Sequence, residues 1–208
     1  MGAVANRRSV MILFSSSTNP LSHCARLVLA EKNITFDVVD VDQEGRRAEL
    51  ADVNPYGDVP TLVDRDLVVY DVQILSEYLD ERFPHPPLMP VDPVSRATAR
   101  LGLHRVFKDW YSLLPAVESE DRKVSAKAKK DLRDVIASSA DIFAAKPFFL
   151  SDDMTLVDCA IAPILWRLPH YRIDLPRQAK VIEQYAARIF ERDSFNSCLT
   201  EAEQELRL

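Results

Sequence analysis

Apolar and polar positions along the first eighty or so residues switch repeatedly between two periods. Val10-Met11-Ile12-Leu13-Phe14 is continuously apolar and of strand length, which suits a buried first strand. Pro20 to Lys32 follows with Leu, Ala and Val at the spacing of an amphipathic helix. Phe36 to Val41 alternates as a strand, and Glu44 to Val53 reads as a weaker helix. Thr61–Asp64 and Leu67–Tyr70 are short strand runs joined by Asp64-Arg65-Asp66, so they predict a hairpin. Val72 to Arg82 returns to helical spacing through Ile74, Leu75, Tyr78 and Leu79. The predicted order is βαβαββα. Its β-α-β opening implies a parallel pair with a right-handed crossover.

The pattern breaks once, at Phe83 to Pro93, where prolines stand at 84, 86, 87, 90 and 93. Proline has no amide hydrogen and biases its predecessor towards extended geometry, so neither helix nor central strand survives there. The segment reads as a stiff connector. Beyond it every strong signal is helical. Leu103, Phe107, Trp110 and Leu114 form one apolar stripe, while Arg96, Arg100 and His104 recur on another face. Lys123–Lys130 reads as a solvated helix start, and Ala126 to Ala145 as one helix. Thr155-Leu-Val-Asp158 is a capping-box start for an all-round apolar helix, Leu156 to Leu165, with Pro163 inside it. Gln178–Phe190 predicts a further amphipathic helix, and Thr200-Glu-Ala-Glu203 a capped short one. This divides the chain into a domain at 1–83, a connector at 84–93 and an all-helical domain at 94–208.

Composition narrows the class. Of 208 residues, 47% are hydrophobic and 28% charged, the balance of a folded globular protein. The formal net charge of −6 argues against direct, sequence-specific DNA binding, which draws on a basic surplus. No apolar run reaches the roughly 20 residues that cross a bilayer, so no membrane is expected. Met1 to Val10 lacks the long apolar region of a secretory signal. Cys24, Cys159 and Cys198 cannot all pair, and none lies at metal-ligand spacing with His23, His85, His104 or His170. The expectation is a cytoplasmic protein with reduced thiols, no metal and no cofactor.

The βαβαββα unit, the Val59-Pro60-Thr61-Leu62 loop and the helical half with its Thr-x-x-Asp box resemble the glutathione-transferase superfamily. Blocks spanning nearly the whole chain narrow the resemblance to one branch. RSVMILFSSSTNPLSH, VPTLVDRDL, ERFPHPPLMPV, FLSDDMTLVDC and FERDSFNSCLTEAEQELRL are similar to the stringent starvation protein A family. The resemblance implies a thioredoxin-like N-terminal domain, a helical C-terminal domain and a cis Pro60 beside Val59, whose backbone pairs with a peptide ligand. It also implies a homodimer that binds bacterial RNA polymerase or its sigma factor and alters transcription under starvation or stress. No transferase activity is established for that branch.

The same resemblance defines a glutathione pocket, here degenerate, at Ser17, Asn19, Val59, Pro60, Asp71 and Val72. The position where relatives carry a catalytic cysteine or serine falls on Asn19, an amide that donates hydrogen bonds but is no nucleophile. Ser15, Ser16, Ser17 and Thr18 offer substitute hydroxyls. Where relatives hold the γ-glutamyl group with a serine, Val72 offers no hydrogen bond, while Asp71 suits a helix N-cap. No residue is assigned as catalytic. Pro84, His85 and Pro86 match the run that the branch uses to bind partners, and the bland reading of His85 is a solvated loop. Tyr78, Arg96 and Arg100 fall where related folds dimerise, and a solvated face equally fits the arginines. Asp158 reads as a cap, Trp110 and Trp166 as core, and Cys24 as a small buried hydrophobe. Three functions compete: a polymerase-binding regulator, a glutathione-dependent transferase or peroxidase, and a structural dimerisation module.

Overall fold

The computed structural model describes residues 10–207. The first half is the predicted βαβαββα unit. Strand β1 (Met11–Ser15) leads into helix α1 (Pro20–Glu31), then β2 (Phe36–Asp40) and α2 (Arg46–Val53). Strands β3 (Thr61–Asp64) and β4 (Leu67–Tyr70) form the hairpin, and α3 (Val72–Arg82) closes the unit. The four strands order β2-β1-β3-β4. Strand β1 pairs parallel to β2, with Leu13 opposite Val38, and antiparallel to β3, with Leu13 opposite Leu62. This is the thioredoxin-like arrangement. Met1 to Ser9 lie outside the described residues, and the strand begins at Met11, with Val10 exposed ahead of it.

The second half is helical. Helix α4 (Pro93–Arg105) is capped by Asp92, whose Oδ2 accepts the Ser95 amide at 2.8 Å. The predicted single stripe through Leu103, Phe107, Trp110 and Leu114 is not carried by one regular helix. A π-helical turn at Val106–Trp110 and a 3-10 turn at Tyr111–Leu113 precede α5 (Leu114–Val117). Leu103, Trp110 and Leu114 are buried, while Phe107 is only partly so, because the wider turn rotates it off the stripe.

The helix expected over Ala126–Ala145 is two. Helix α6 (Arg122–Ala137) buries Ala128, Leu132 and Ile136, and α7 (Ala140–Ala145) follows. The break falls at Ser138 and Ser139, whose hydroxyls both donate to the Val135 carbonyl and compete with the helical ladder. Helix α8 (Leu156–Arg167) is buried along almost its whole length and runs through Pro163, as its apolar sequence implies. Helix α9 (Lys180–Phe190) starts after a 3-10 turn at Arg177–Ala179. Helix α10 (Asp193–Cys198), not anticipated, precedes α11 (Glu201–Glu205) with its Thr200/Glu203 capping box.

Asp158 explains why α8 starts where it does. The Thr155 amide donates to its Oδ2 at 2.7 Å and the Val157 amide to Thr155 Oγ1 at 3.2 Å. Its Oδ1 accepts from Tyr185 Oη at 2.6 Å and the Phe149 amide at 2.8 Å, so one carboxylate joins α8, α9 and the preceding loop. Burial outweighs these donors and raises its pKa. One hydrophobic cluster runs from Leu13, Leu27 and Leu75 through Trp110, Ile161 and Ile189, so both halves share a core. Trp166, expected in that core, is only partly buried: its Nε1 donates to the Glu203 carbonyl at 2.9 Å, and Arg207 lies over its ring at 4.4 Å.

Candidate functional site

The loop between β1 and α1 carries the residues closest in sequence to the expected chemistry. Asn19 is the N-cap of α1, and its Oδ1 accepts the amides of Leu21 at 2.9 Å and Ser22 at 3.0 Å. That is the service an N-cap performs, and it leaves the amide group fixed in place. Of the hydroxyls that could substitute for a nucleophile, the three serines are engaged as well. Ser16 and Ser17 donate to Asp42 Oδ2 at 2.7 and 3.1 Å, and the Ser17 amide joins them at 2.9 Å. Burial alone would raise the Asp42 pKa. The two serines and Arg47 together more than offset that and lower it. Ser15 Oγ accepts from Arg26 Nη1 and donates to the Ser16 carbonyl.

A cleft of about 670 Å³ opens between the two halves. Val59, Pro60, Asp71 and Val72 line it, together with Leu21, Tyr56, Tyr70 and Tyr111. Four of the six residues assigned to the degenerate pocket are thus brought together, while Ser17 and Asn19 lie outside the lining. The Val59–Pro60 peptide is cis, and so is His85–Pro86. Asn54, fully buried, donates to Thr61 Oγ1 at 2.9 Å, and Thr61 donates to the Asp58 carbonyl at 2.7 Å, which fixes the loop carrying Val59.

Asp71 caps α3 as expected, with Oδ1 accepting the amides of Gln73 at 2.9 Å and Ile74 at 3.1 Å. It does so at φ 72°, a backbone setting costly for any residue but glycine. Val72 is buried and puts only methyl groups towards the cleft. Asp58 and Asp71 are the ionisable carboxylates of the lining, and among the described residues no Lys, Arg or His joins them. The carboxylates of a peptide ligand therefore find no cationic side chain in this lining.

The proline connector follows the C-terminal end of α3, whereas the cleft is lined at its N-terminal end. Pro84, His85, Pro86 and Pro87 are exposed, whereas Leu88 and Met89 behind them are buried anchors. A groove of about 580 Å³ runs along the connector between Pro86–Val91 and Phe148, Met154 and Arg192. Tyr78, Arg96 and Arg100 all have partners within the chain. Tyr78 Oη donates to Asp64 Oδ2 at 2.7 Å, Arg96 Nε to the Pro90 carbonyl at 2.8 Å, and Arg100 Nη2 to Glu77 Oε2 at 2.7 Å. Arg96 is half-buried and Arg100 exposed.

Sequence reasoning missed a buried charged knot beneath the β1–α1 loop. Glu203 of α11, fully buried, accepts from Arg26 Nη2 through Oε2 at 2.6 Å and from Arg167 Nη2 through Oε1 at 2.5 Å. Arg167 also donates to the Thr18 carbonyl at 2.9 Å, Arg26 to the Ser16 carbonyl at 3.2 Å, and Thr200 to the Ser17 carbonyl at 2.6 Å. Arg167 Nη1 donates to His23 Nδ1 at 3.0 Å, which places the imidazole proton on Nε2. Burial, then the charges of Arg167 and Arg26, hold the His23 pKa well below 6.5, despite Glu203 3.5 Å away. The one signal available was an arginine inside each of two apolar runs, LSHCARLVL and APILWRLP.

None of the three cysteines lines the cleft. All three are free and buried, and burial pushes Cys24 up to about 12 and raises Cys159 and Cys198 as well. Among the described residues no group of His, Cys, Asp and Glu could hold a metal ion, and no helix is long and apolar enough to cross a membrane.

A four-stranded mixed sheet with an all-helical second half, joined across a cis-proline cleft, defines a glutathione S-transferase fold. The glutathione S-transferase N-terminal and C-terminal domain families match residues 13–87 and 99–193. Rice GST1 in complex with glutathione superposes with a TM-score of 0.83 over 97% of this chain and 96% of its own, at 21% identity. At sequence level the likeness is more specific. The Stringent starvation protein A homolog of Pasteurella multocida is 48% identical over 200 residues, 96% of this chain and 94% of its own. That of Coxiella burnetii is 44% identical over 97% of both chains. The chain belongs to the stringent starvation protein A family.

Proposed function

We propose that this chain is an RNA-polymerase-associated transcription regulator of the bacterial stress and starvation response. It works in the cytoplasm as a homodimer that docks on the polymerase holoenzyme and performs no transferase chemistry of its own. The observation that carries the reading is the Pro84-His85-Pro86-Pro87 run, exposed on buried anchors at Leu88 and Met89. Prolines lose little conformational freedom on docking, so a stiff exposed loop spends less of its contact energy on ordering. The cleft supports the same reading from the other side. Asn19 is spent on capping, Ser16 and Ser17 on Asp42, and the lining carries carboxylates without a cation.

In this reading Pro84, His85 and Pro86 meet polymerase or sigma, while Tyr78, Arg96 and Arg100 lie towards the second protomer. Docking shifts promoter choice by mass action. The test is retention of core polymerase and sigma holoenzyme by the purified protein, beside a glutathione–electrophile assay on the same preparation. The expected result is retention without turnover. Turnover without retention would replace this reading by a glutathione-dependent transferase or peroxidase, for which the persisting cleft of about 670 Å³ leaves room. Replacing Pro84, His85 and Pro86 by alanine is expected to abolish retention and leave the thermal midpoint nearly unchanged. Normal retention by that triple variant would refute the docking assignment.

A further inference from the structure

Lys32 ends α1 as its C-cap residue, yet its side chain is 0% exposed. Its ammonium donates to Asp80 Oδ1 at 2.5 Å, to the Phe83 carbonyl at 2.8 Å and to the Pro86 carbonyl at 2.5 Å. An ammonium has three hydrogens to give, so these three acceptors saturate it. Asp80 Oδ1 also accepts the Leu88 amide at 2.7 Å, and the Leu88 carbonyl accepts the Leu156 amide at 2.9 Å. One ion pair therefore grips the chain at Phe83, Pro86 and Leu88, on both sides of His85, and the last grip passes on to the start of α8.

We infer that Lys32 and Asp80 are positioning residues for docking: a buried clamp that sets the shape in which Pro84 to Pro87 is presented. This rests on the docking reading above. A buried ion pair is poor evidence for stability, since an apolar pair of similar volume often does as well. What an apolar pair cannot do is draw two backbone carbonyls and one amide onto a single point. Arginine cannot do it either, because its planar fork does not aim donors at acceptors arranged around one nitrogen.

The test compares Lys32→Arg, Lys32→Met with Asp80→Leu, and the Pro84/His85/Pro86 alanine triple for affinity to sigma holoenzyme, each beside its melting curve. Both clamp variants are expected to melt in one transition and to bind at least tenfold more weakly. Binding within twofold of wild type by a folded clamp variant, while the triple variant has lost binding, overturns the clamp alone. Retained binding by the triple variant overturns the docking reading and the clamp's role together. If neither clamp variant folds, the wild type still decides. The clamp requires the Leu88 amide to exchange its hydrogen slowly, and exchange at the free-peptide rate removes it.

Discussion

His23 shows how far burial can move one residue. Two guanidiniums, Arg167 and Arg26, and the Glu203 carboxylate face it, with the Phe195 ring 5.2 Å away. Its Nε2 is the buried side-chain polar atom left without a hydrogen-bond partner among the described residues. The folded protein resists protonating this ring, whereas the unfolded chain takes the proton near 6.5. Protons thus favour the unfolded state: the stability is fully present above about pH 6.5 and falls as pH drops towards the depressed folded value. Melting curves at pH 7.5 and 5.5 should show a larger loss for wild type than for His23→Gln, which keeps an acceptor for Arg167 but cannot titrate. Parallel losses would mean that the ring is not neutral in the fold. The thiols make a simpler case. With burial holding all three protonated, a disulfide reagent at pH 8 should label none rapidly in the native state and all after denaturation.

At the scale of elements, caps and breaks decide where helices stop. Asp158 accepts from Tyr185 Oη, the Phe149 and Thr155 amides, and Thr155 Oγ1. Asp158→Asn would turn one acceptor into a donor aimed at donors. With hydrogen bonds to a buried charge contributing roughly 1.5–3 kcal/mol each, the expected loss is about 3 kcal/mol. For a chain of this size that is roughly 6–12 °C in the midpoint of a thermal melt. A shift under about 2 °C would show that other contacts fix the start of α8. The Thr155-x-x-Asp158 and Thr200-x-x-Glu203 boxes were legible because both partners lie within one turn. The break at Ser138-Ser139 was not, since serine is tolerated within helices and only its bonding to Val135 shows the competition.

For the whole molecule the decisive fact is that both halves share one core and one charged knot. Helix α1 lies against α8 and α10, and Glu203 on α11 closes over arginines from α1 and α8. Calorimetry should therefore show a single unfolding transition, and two resolved transitions would contradict a common core. Glu203→Gln would leave two buried guanidiniums without their counter-charge, at an expected cost of about 3–5 kcal/mol. That cost, read by denaturant titration, should fall on both halves together, because the β1–α1 loop hangs from the same knot.

The sequence by itself determined the order of elements in the first half, its parallel strand pair and its hairpin, the proline connector and the capped central helix. Each of those follows from periods of two or 3.6 residues, or from backbone limits that act within a few positions. The resemblance in sequence also marked Val59, Pro60, Asp71 and Val72, and they do meet in the cleft. Only the tertiary structure decided that Ser16 and Ser17 are held by Asp42, that Trp166 sits partly outside the core, and that Lys32 grips the connector. Those outcomes depend on the partners Asp42, Glu203 and Pro86, which lie 25 to 54 residues away along the chain. A side chain's neighbours at that separation are set by how helices dock, and a local pattern carries no record of it.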